Sequence, residues 1–397
     1  MSRRFRFAGL AALAALFALQ ASGARPGDRP VPFPARQKKS QKLPRPRALG
    51  HGPALERDPA SGELHAPGGD SPTPSKGTIR SRVSLVEVAC TVTAPDGTQV
   101  RGLNRNNFRI FEDGAPQEIA SFDASATPAS IALVMDASPS IYRELADMRG
   151  AARALAENLS PADEIAVVSF SAQAHLLLPF STNRSLLDRV IESKYLARVE
   201  DSSESRIYES VFYTARDLFI GRTGRKAIVL LTDGQDSGLG LTWDPRSAQP
   251  GSGASPRLAF DDVARELGAD GIALFIVSTE NRPRAMTPEW LAAHRGVMLV
   301  NQASRRLGMP NYTLYLAELA RRVGGQLYFL RETGNLTAIY RRIALAISAQ
   351  YTLGYYPSAG TARPGWRSLR VELVPGANLP SGAKITNRRS YYVSAFR

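Results

Sequence analysis

The stretch Ile131-Ala132-Leu133-Val134-Met135-Asp136-Ala137-Ser138-Pro139-Ser140 decides the fold. Its apolar half shows no alternation, which is the pattern of a strand covered on both faces in a parallel sheet. Its polar half sets a carboxylate and two hydroxyls at alternate positions, so hard oxygens from one tight turn converge on a single spot. Further along, Ala227-Ile228-Val229-Leu230-Leu231 runs into Thr232-Asp233-Gly234, a second buried strand that delivers a carboxylate at its C-terminal end. That edge of an open α/β sheet is where ligands bind.

Around these two strands the pattern alternates. Strands are expected at Ile165 to Phe170, Ala174 to Leu178, Lys226 to Thr232, Ile272 to Ser278 and Gln326 to Leu330. Helices are expected at Ile207 to Leu218, Leu258 to Leu267, Leu314 to Val323 and Leu336 to Ser348, and an earlier one carries Ile141, Leu145, Met148, Ala152, Leu155 and Leu159 on one stripe. Such alternation predicts an α/β domain over residues 126–349, a doubly wound, mostly parallel, Rossmann-like sheet with crossover helices. Two connections are unusually long, Gly234 to Pro256 and Glu280 to Asn311. Long loops in compact domains commonly carry function. They hold Trp243 and Trp290, candidates for a partner-binding rim, with packing of each loop onto its own domain as the competing role.

Short alternating strands flank this region. Val86, Val88, Cys90 and Val92 alternate with more polar residues up to the turn Pro95-Asp96-Gly97, and Phe108 to Phe111 and Gln117 to Phe122 continue an antiparallel pattern. Two or three strands cannot bury both faces alone. The matching strands lie at the far end, at Gln350 to Tyr356, Ser368 to Val374 and Ser390 to Ala395. The expectation is one β-sandwich built from residues 78–125 and 350–397, into which the α/β domain is inserted.

The first 24 residues read as a signal peptide: Arg3, Arg4 and Arg6, an apolar run from Ala8 to Leu19, then Ser22-Gly23-Ala24. The apolar run is shorter than a spanning helix needs, so a secreted or periplasmic protein that does not span the membrane after cleavage is expected, with an uncleaved anchor as the alternative. Residues 25–77, rich in Pro, Gly and basic side chains, read as a disordered linker. The one cysteine, Cys90, cannot form an intramolecular disulfide and reads as a buried apolar residue. A net charge of +14 would suggest nucleic acid in a cytosolic protein. Export weakens that reading, so no nucleic-acid partner is expected, and points to an anionic envelope surface reached through the basic linker, to acidic glycans or to acidic protein ligands.

A hard divalent ion, Mg²⁺ above all, takes hydroxyls, carboxylates and retained waters. Asp136, Ser138, Ser140 and Asp233 provide such donors with only two formal negative charges, which leaves the ion electrophilic toward a partner's carboxylate. A competing reading has Asp136 and the serines capping the helix that follows. A carboxylate at the adjoining strand end favours the metal. Asp236 and Ser237 read as organisers of the next loop.

These residues resemble the von Willebrand factor A-type domain, whose metal-ion-dependent adhesion site joins an Asp-x-Ser-x-Ser turn to a distal Thr and a distal Asp. The closer likeness is to secreted acidobacterial VWFA-related proteins. It spans roughly residues 80 to 396 through Phe108-Arg109-Ile110-Phe111-Glu112-Asp113-Gly114, Ile131 to Ser140, Asp163-Glu164, Leu230 to Gly234 and Tyr351-Thr352-Leu353-Gly354-Tyr355-Tyr356. The resemblance implies a further ligand from the loop Ser203-Glu204-Ser205-Arg206-Ile207-Tyr208-Glu209, where Ser205 stands in place of the usual Thr. Ser205 keeps the hydroxyl but lacks the β-branch. Glu204 or Asp201 would compensate with a carboxylate, which favours tighter binding and tolerance of Ca²⁺ or Mn²⁺; Glu204 is also a candidate for the partner-binding rim.

An enzyme needs a nucleophile, a base or a redox group. His51, His65, His175 and His294 fall at no metal-ligand spacing, and no nucleophile elbow, zinc-protease helix or phosphate loop occurs. The expectation is therefore a non-enzymatic adhesion-type module that captures a protein or peptide carboxylate through an open cation site. The alternative is a structural component of the cell envelope with a vestigial metal site and binding through its basic surface.

Overall fold

The computed structural model describes residues 43–50, 55–57, 64–65, 85–124, 127–138, 145–193, 205–234, 236, 258, 260–279, 311–357, 364–376 and 378–393. All lie in the compact unit Leu43–Arg397.

β8 (Ala129–Asp136) is buried at every one of its eight positions. Such a strand needs cover on both faces, and successive side chains supply it by pointing alternately up and down. Ile131, Leu133 and Met135 enter one core with the helices α1 (Leu145–Glu157), α2 (Arg184–Ile191) and α6 (Leu336–Ser348). Ala132 and Val134 enter a second core with α3 (Ile207–Leu218), α4 (Phe260–Asp270) and α5 (Asn311–Val323). The sheet between the cores has seven strands, in the order β1 (Arg47–Ala48), β10 (Ala174–Ser181), β9 (Glu164–Phe170), β8, β11 (Arg225–Thr232), β12 (Ile272–Ser278) and β13 (Leu327–Phe329). β9, β11, β12 and β13 run parallel to β8, while β10 is antiparallel.

The strand order places the site. The chain leaves β8 for β9 on one side and later returns to β11 on the other, so the β8/β11 junction is the topological switch point where ligands bind. Leu231 pairs with Met135, which brings the next residues, Thr232 and Asp136, level at the C-terminal edge.

β4 (Val86–Thr93), β7 (Ile119–Ala124), β14 (Tyr351–Tyr355) and β16 (Lys384–Asn387) form one four-stranded sheet; β5 (Phe108–Glu112), β6 (Ala115–Gln117), β15 (Gly365–Leu373) and β17 (Ser390–Val393) form another. Their inward residues share one core in which Phe108, Phe122 and Tyr351 pack ring to ring. The buried Glu112 accepts hydrogen bonds from the hydroxyls of Tyr355 and Tyr391. Arg388, fully buried, ties this sandwich to the α/β domain by donating to the carbonyls of Gly268 and Glu87. Gly324, at φ +87°, lets the Arg388 backbone pack close, since a Cβ there would stand 2.9 Å from the Arg388 backbone nitrogen.

The stretch expected as a linker is partly built into the domain. β1 (Arg47–Ala48) pairs with the edge of β10, Leu49 is buried, and the Gly50 amide donates to Asp217 at 2.8 Å. β2 (Glu56–Arg57) pairs with β3 (Leu64–His65), and Arg57 forks onto both oxygens of Asp262. Backbone pairing at a free sheet edge needs no apolar periodicity, which is why composition alone suggested disorder. α2 had no expected counterpart either: it is a short helix capped by Asn183, with Leu187, Val190 and Ile191 buried.

Asp163 closes the opposite end of β8. Fully buried, it accepts from the Ala129 amide at 2.7 Å and the Ser160 amide at 2.9 Å, and it faces Arg225. Arg225 also donates to the carbonyls of Thr127 and Ile347, and burial pulls its pKa below the ordinary value against the charge of Asp163. Removing one member of a buried pair strands the other charge. Asp163→Ala is therefore expected to cost about 3–5 kcal/mol in urea unfolding, with Asp163→Asn losing less; a loss within experimental error would contradict this role.

Candidate metal centre

Asp136 is the last residue of β8 and only 1% exposed. One carboxylate oxygen accepts from the Ser138 amide at 2.9 Å, an Asx turn that shapes the loop after the strand. The other accepts from the Thr232 hydroxyl at 2.8 Å and the Ser205 hydroxyl at 3.1 Å. The Thr232 oxygen in turn accepts from the Gly234 amide at 3.0 Å, which fixes its rotamer. Three elements thus meet on one carboxylate.

Each is anchored from behind. The Ala137 amide donates to the Phe170 carbonyl at the end of β9, and the Arg206 amide donates to the Ser171 carbonyl, which holds the start of α3 over the same edge. The Tyr208 amide lies 3.4 Å from Asp236, so Asp236 steadies the first turn of α3.

The electrostatics are uneven. Asp136 is pushed above the usual carboxylate pKa, first by burial and further by the charge of Asp233, against the pull of the Ser138 and Thr232 hydrogen bonds. Asp233 is itself only 6% exposed. Two nearly buried carboxylates stand together, and the donors on Asp136 described above are all uncharged. Hydroxyls and carboxylates are hard donors, and among the described residues no group of three or more His, Cys, Asp or Glu gathers anywhere, this edge included. Such a set fits Mg²⁺, Ca²⁺ or Mn²⁺ better than a thiolate or imidazole metal.

Of the residues expected from sequence, Asp136, Ser138, Ser205 and Asp233 come to this one edge. Ser140, Asp201, Glu204, Ser237, Trp243 and Trp290 lie outside the described residues. Thr232 was overlooked as a member, although it stands beside Asp233 in the same strand end. Its signal was the hydroxyl that interrupts an otherwise apolar run.

Residues 130–289 match the family model of the von Willebrand factor type A domain. Such domains are generally non-enzymatic binding modules that mediate protein–protein interaction or adhesion. No curated protein matches the chain. Among solved structures it is similar to an aerotolerance-related membrane protein from Bacteroides fragilis carrying multiple mutations to serines, at 15% identity and TM-score 0.38, over 55% of this chain and 98% of that one. It is also similar to proximal thread matrix protein 1 from the mussel byssus, at 15% identity and TM-score 0.37, over 59% of this chain and 50% of that one. A von Willebrand factor type A protein from Catenulispora acidiphila shares 10% identity at TM-score 0.37, over 78% and 72% of the two chains.

A carboxyl whose pKa is raised by folding costs the native state stability above that pKa, and the cost is relieved as the pH falls through it. In chelator, Asp136→Asn is therefore expected to melt above the wild type at neutral pH, with the difference shrinking as the medium is acidified. A variant that melts lower at neutral pH would show that the hydrogen bonds outweigh the buried charge.

Proposed function

We propose, for a chain that carries a von Willebrand factor type A domain across residues 130–289, a secreted or envelope-associated binding module that captures a carboxylate of a protein or peptide partner at a divalent cation. Asp136, Ser138, Ser140, Ser205 and Asp233 would hold the ion, with Thr232 orienting Asp136. The observation that carries this reading is the Asp136 carboxylate, nearly sealed from water yet bonded to the uncharged donors of Ser138, Ser205 and Thr232. A buried charge left in that state is unfavourable unless a counter-ion completes it. When bound, the cation would supply an electrophilic position for an incoming carboxylate. The residues of the chain keep the donors in place and restrict water around them.

Export rests on residues 1–24, and no helix among the described residues is long and apolar enough to cross a membrane. N-terminal sequencing of the mature protein should begin near Arg25; an intact Met1 on the exported chain would favour the anchor.

A second reading follows from the charge of +14, by which the basic surface alone does the binding. Chelator and salt separate the two. Metal-dependent capture is lost in EDTA and restored by Mg²⁺, whereas basic adhesion survives EDTA and falls with ionic strength. Mg²⁺ at a hundredfold excess over its Kd should stabilise the wild type by about 2.7 kcal/mol, and Asp136→Ala and Asp233→Ala should abolish that gain together with metal-dependent capture. Equal Mg²⁺ stabilisation in both variants would defeat the metal reading.

A further inference from the structure

A groove of about 610 Å³ runs between the sandwich and the α/β domain, and no residue of the Asp136 cluster lines it. β13 is the outer strand of the seven-stranded sheet and β16 the outer strand of its own, so the groove lies between two sheet margins. α6 closes one side with Arg342, Leu345 and Ala346. The volume is that of a small-molecule site.

The sandwich wall follows from register. Lys384 pairs with Thr93 and Thr386 with Thr91, two rungs spaced by two residues. Side chains at that spacing share a face, so all four project to one side while Val92 and Ile385 turn into the sandwich core. The face opposite an apolar core is here hydroxylic and cationic. Arg101 adds a second cation from the segment after β4, and Arg342, whose guanidinium carbon lies 5.8 Å from the Tyr328 ring centre, adds a third from α6. None of the described lining residues is acidic. Among the described residues, neither Arg101, Arg342 nor Lys384 forms an ion pair, although the acidic partners of Arg225, Arg321 and Arg322 show that pairing is common elsewhere in the fold. The side-chain oxygen of Gln99, also in the groove wall, is buried without a donor.

We infer that this groove binds a small hydroxylated anion, an acidic sugar or a sugar phosphate. The three cations meet its oxyanion, and the Thr91, Thr93 and Thr386 hydroxyls meet its hydroxyls. A bare inorganic anion would satisfy only the cations. A neutral sugar would leave them unpaired.

Calorimetry on the full-length protein in 150 mM-class salt, with glucose 6-phosphate, glucuronate, glucose and sodium phosphate as probes, tests this assignment. At least one of the two anionic sugars should bind about tenfold or more tightly than both glucose and phosphate, and which of them does so distinguishes a phosphate from a carboxylate ligand. Arg342→Gln combined with Lys384→Gln, both exposed positions, should weaken that binding about tenfold or more at an unchanged melting temperature. Thr91→Val should weaken the sugar more than phosphate, and Asp136→Ala should leave binding intact. Binding of phosphate as tight as that of the better of the two sugars, or undiminished binding by the double variant, would overturn the assignment.

Discussion

The buried carboxylate of Asp136 is the constraint on which the site depends. It closes a strand in which all eight residues are buried, so bulk water cannot solvate it and the fold must bring donors to it. The donors come from its own turn, from a hydroxyl 96 residues away on β11 and from one 69 residues away before α3. Each hydrogen bond therefore also fixes where an element ends. The β8/β11 register, the start of α3 and the turn after β8 are determined together, because one buried oxyanion draws a donor from each.

What distinguishes Asp136 is how its charge is treated. Asp163 faces Arg225, Glu318 is forked by Arg321 and held by Arg322, and Asp262 is forked by Arg57. With 50 Lys and Arg against 36 Asp and Glu, cations were not scarce. Glu112 is the nearest parallel, being buried and held by tyrosine hydroxyls. At the switch point the Asp136 carboxylate takes hydrogen bonds from uncharged donors and feels the charge of Asp233. The cation proposed for this edge would offset that charge as arginine does for Asp163, Glu318 and Asp262.

Much of this was legible in the residues. Unbroken apolar runs identify β8, β11 and β12 because a strand covered on both faces has no polar side to show. The helices Ile207–Leu218 and Leu336–Ser348 have the bounds their periodicity predicts, since each buries a regular stripe. The edge strand at Arg47–Ala48 left no such trace, because its pairing to β10 uses backbone groups that every sequence carries. Thr232 was hidden differently: its position was evident, but its part depends on the rotamer that the Gly234 amide imposes. The groove at the sandwich margin could not be read at all, since Thr91, Lys384 and Arg342 come from segments that only tertiary packing juxtaposes.

The substitution at Ser205 can be weighed in the same terms. A threonine's β-branch stiffens the side chain before any ligand arrives, and serine gives that up. Here the missing stiffness is supplied from outside the residue. Ser205 is 5% exposed, its hydroxyl is spent on Asp136, and the next amide is fastened to Ser171 at 2.9 Å. Confinement by neighbours selects a rotamer as a β-branch does, but only while those neighbours are in place. The cost of serine therefore appears as a dependence on Asp136 and the Ser171 carbonyl rather than as the loss of a hydroxyl.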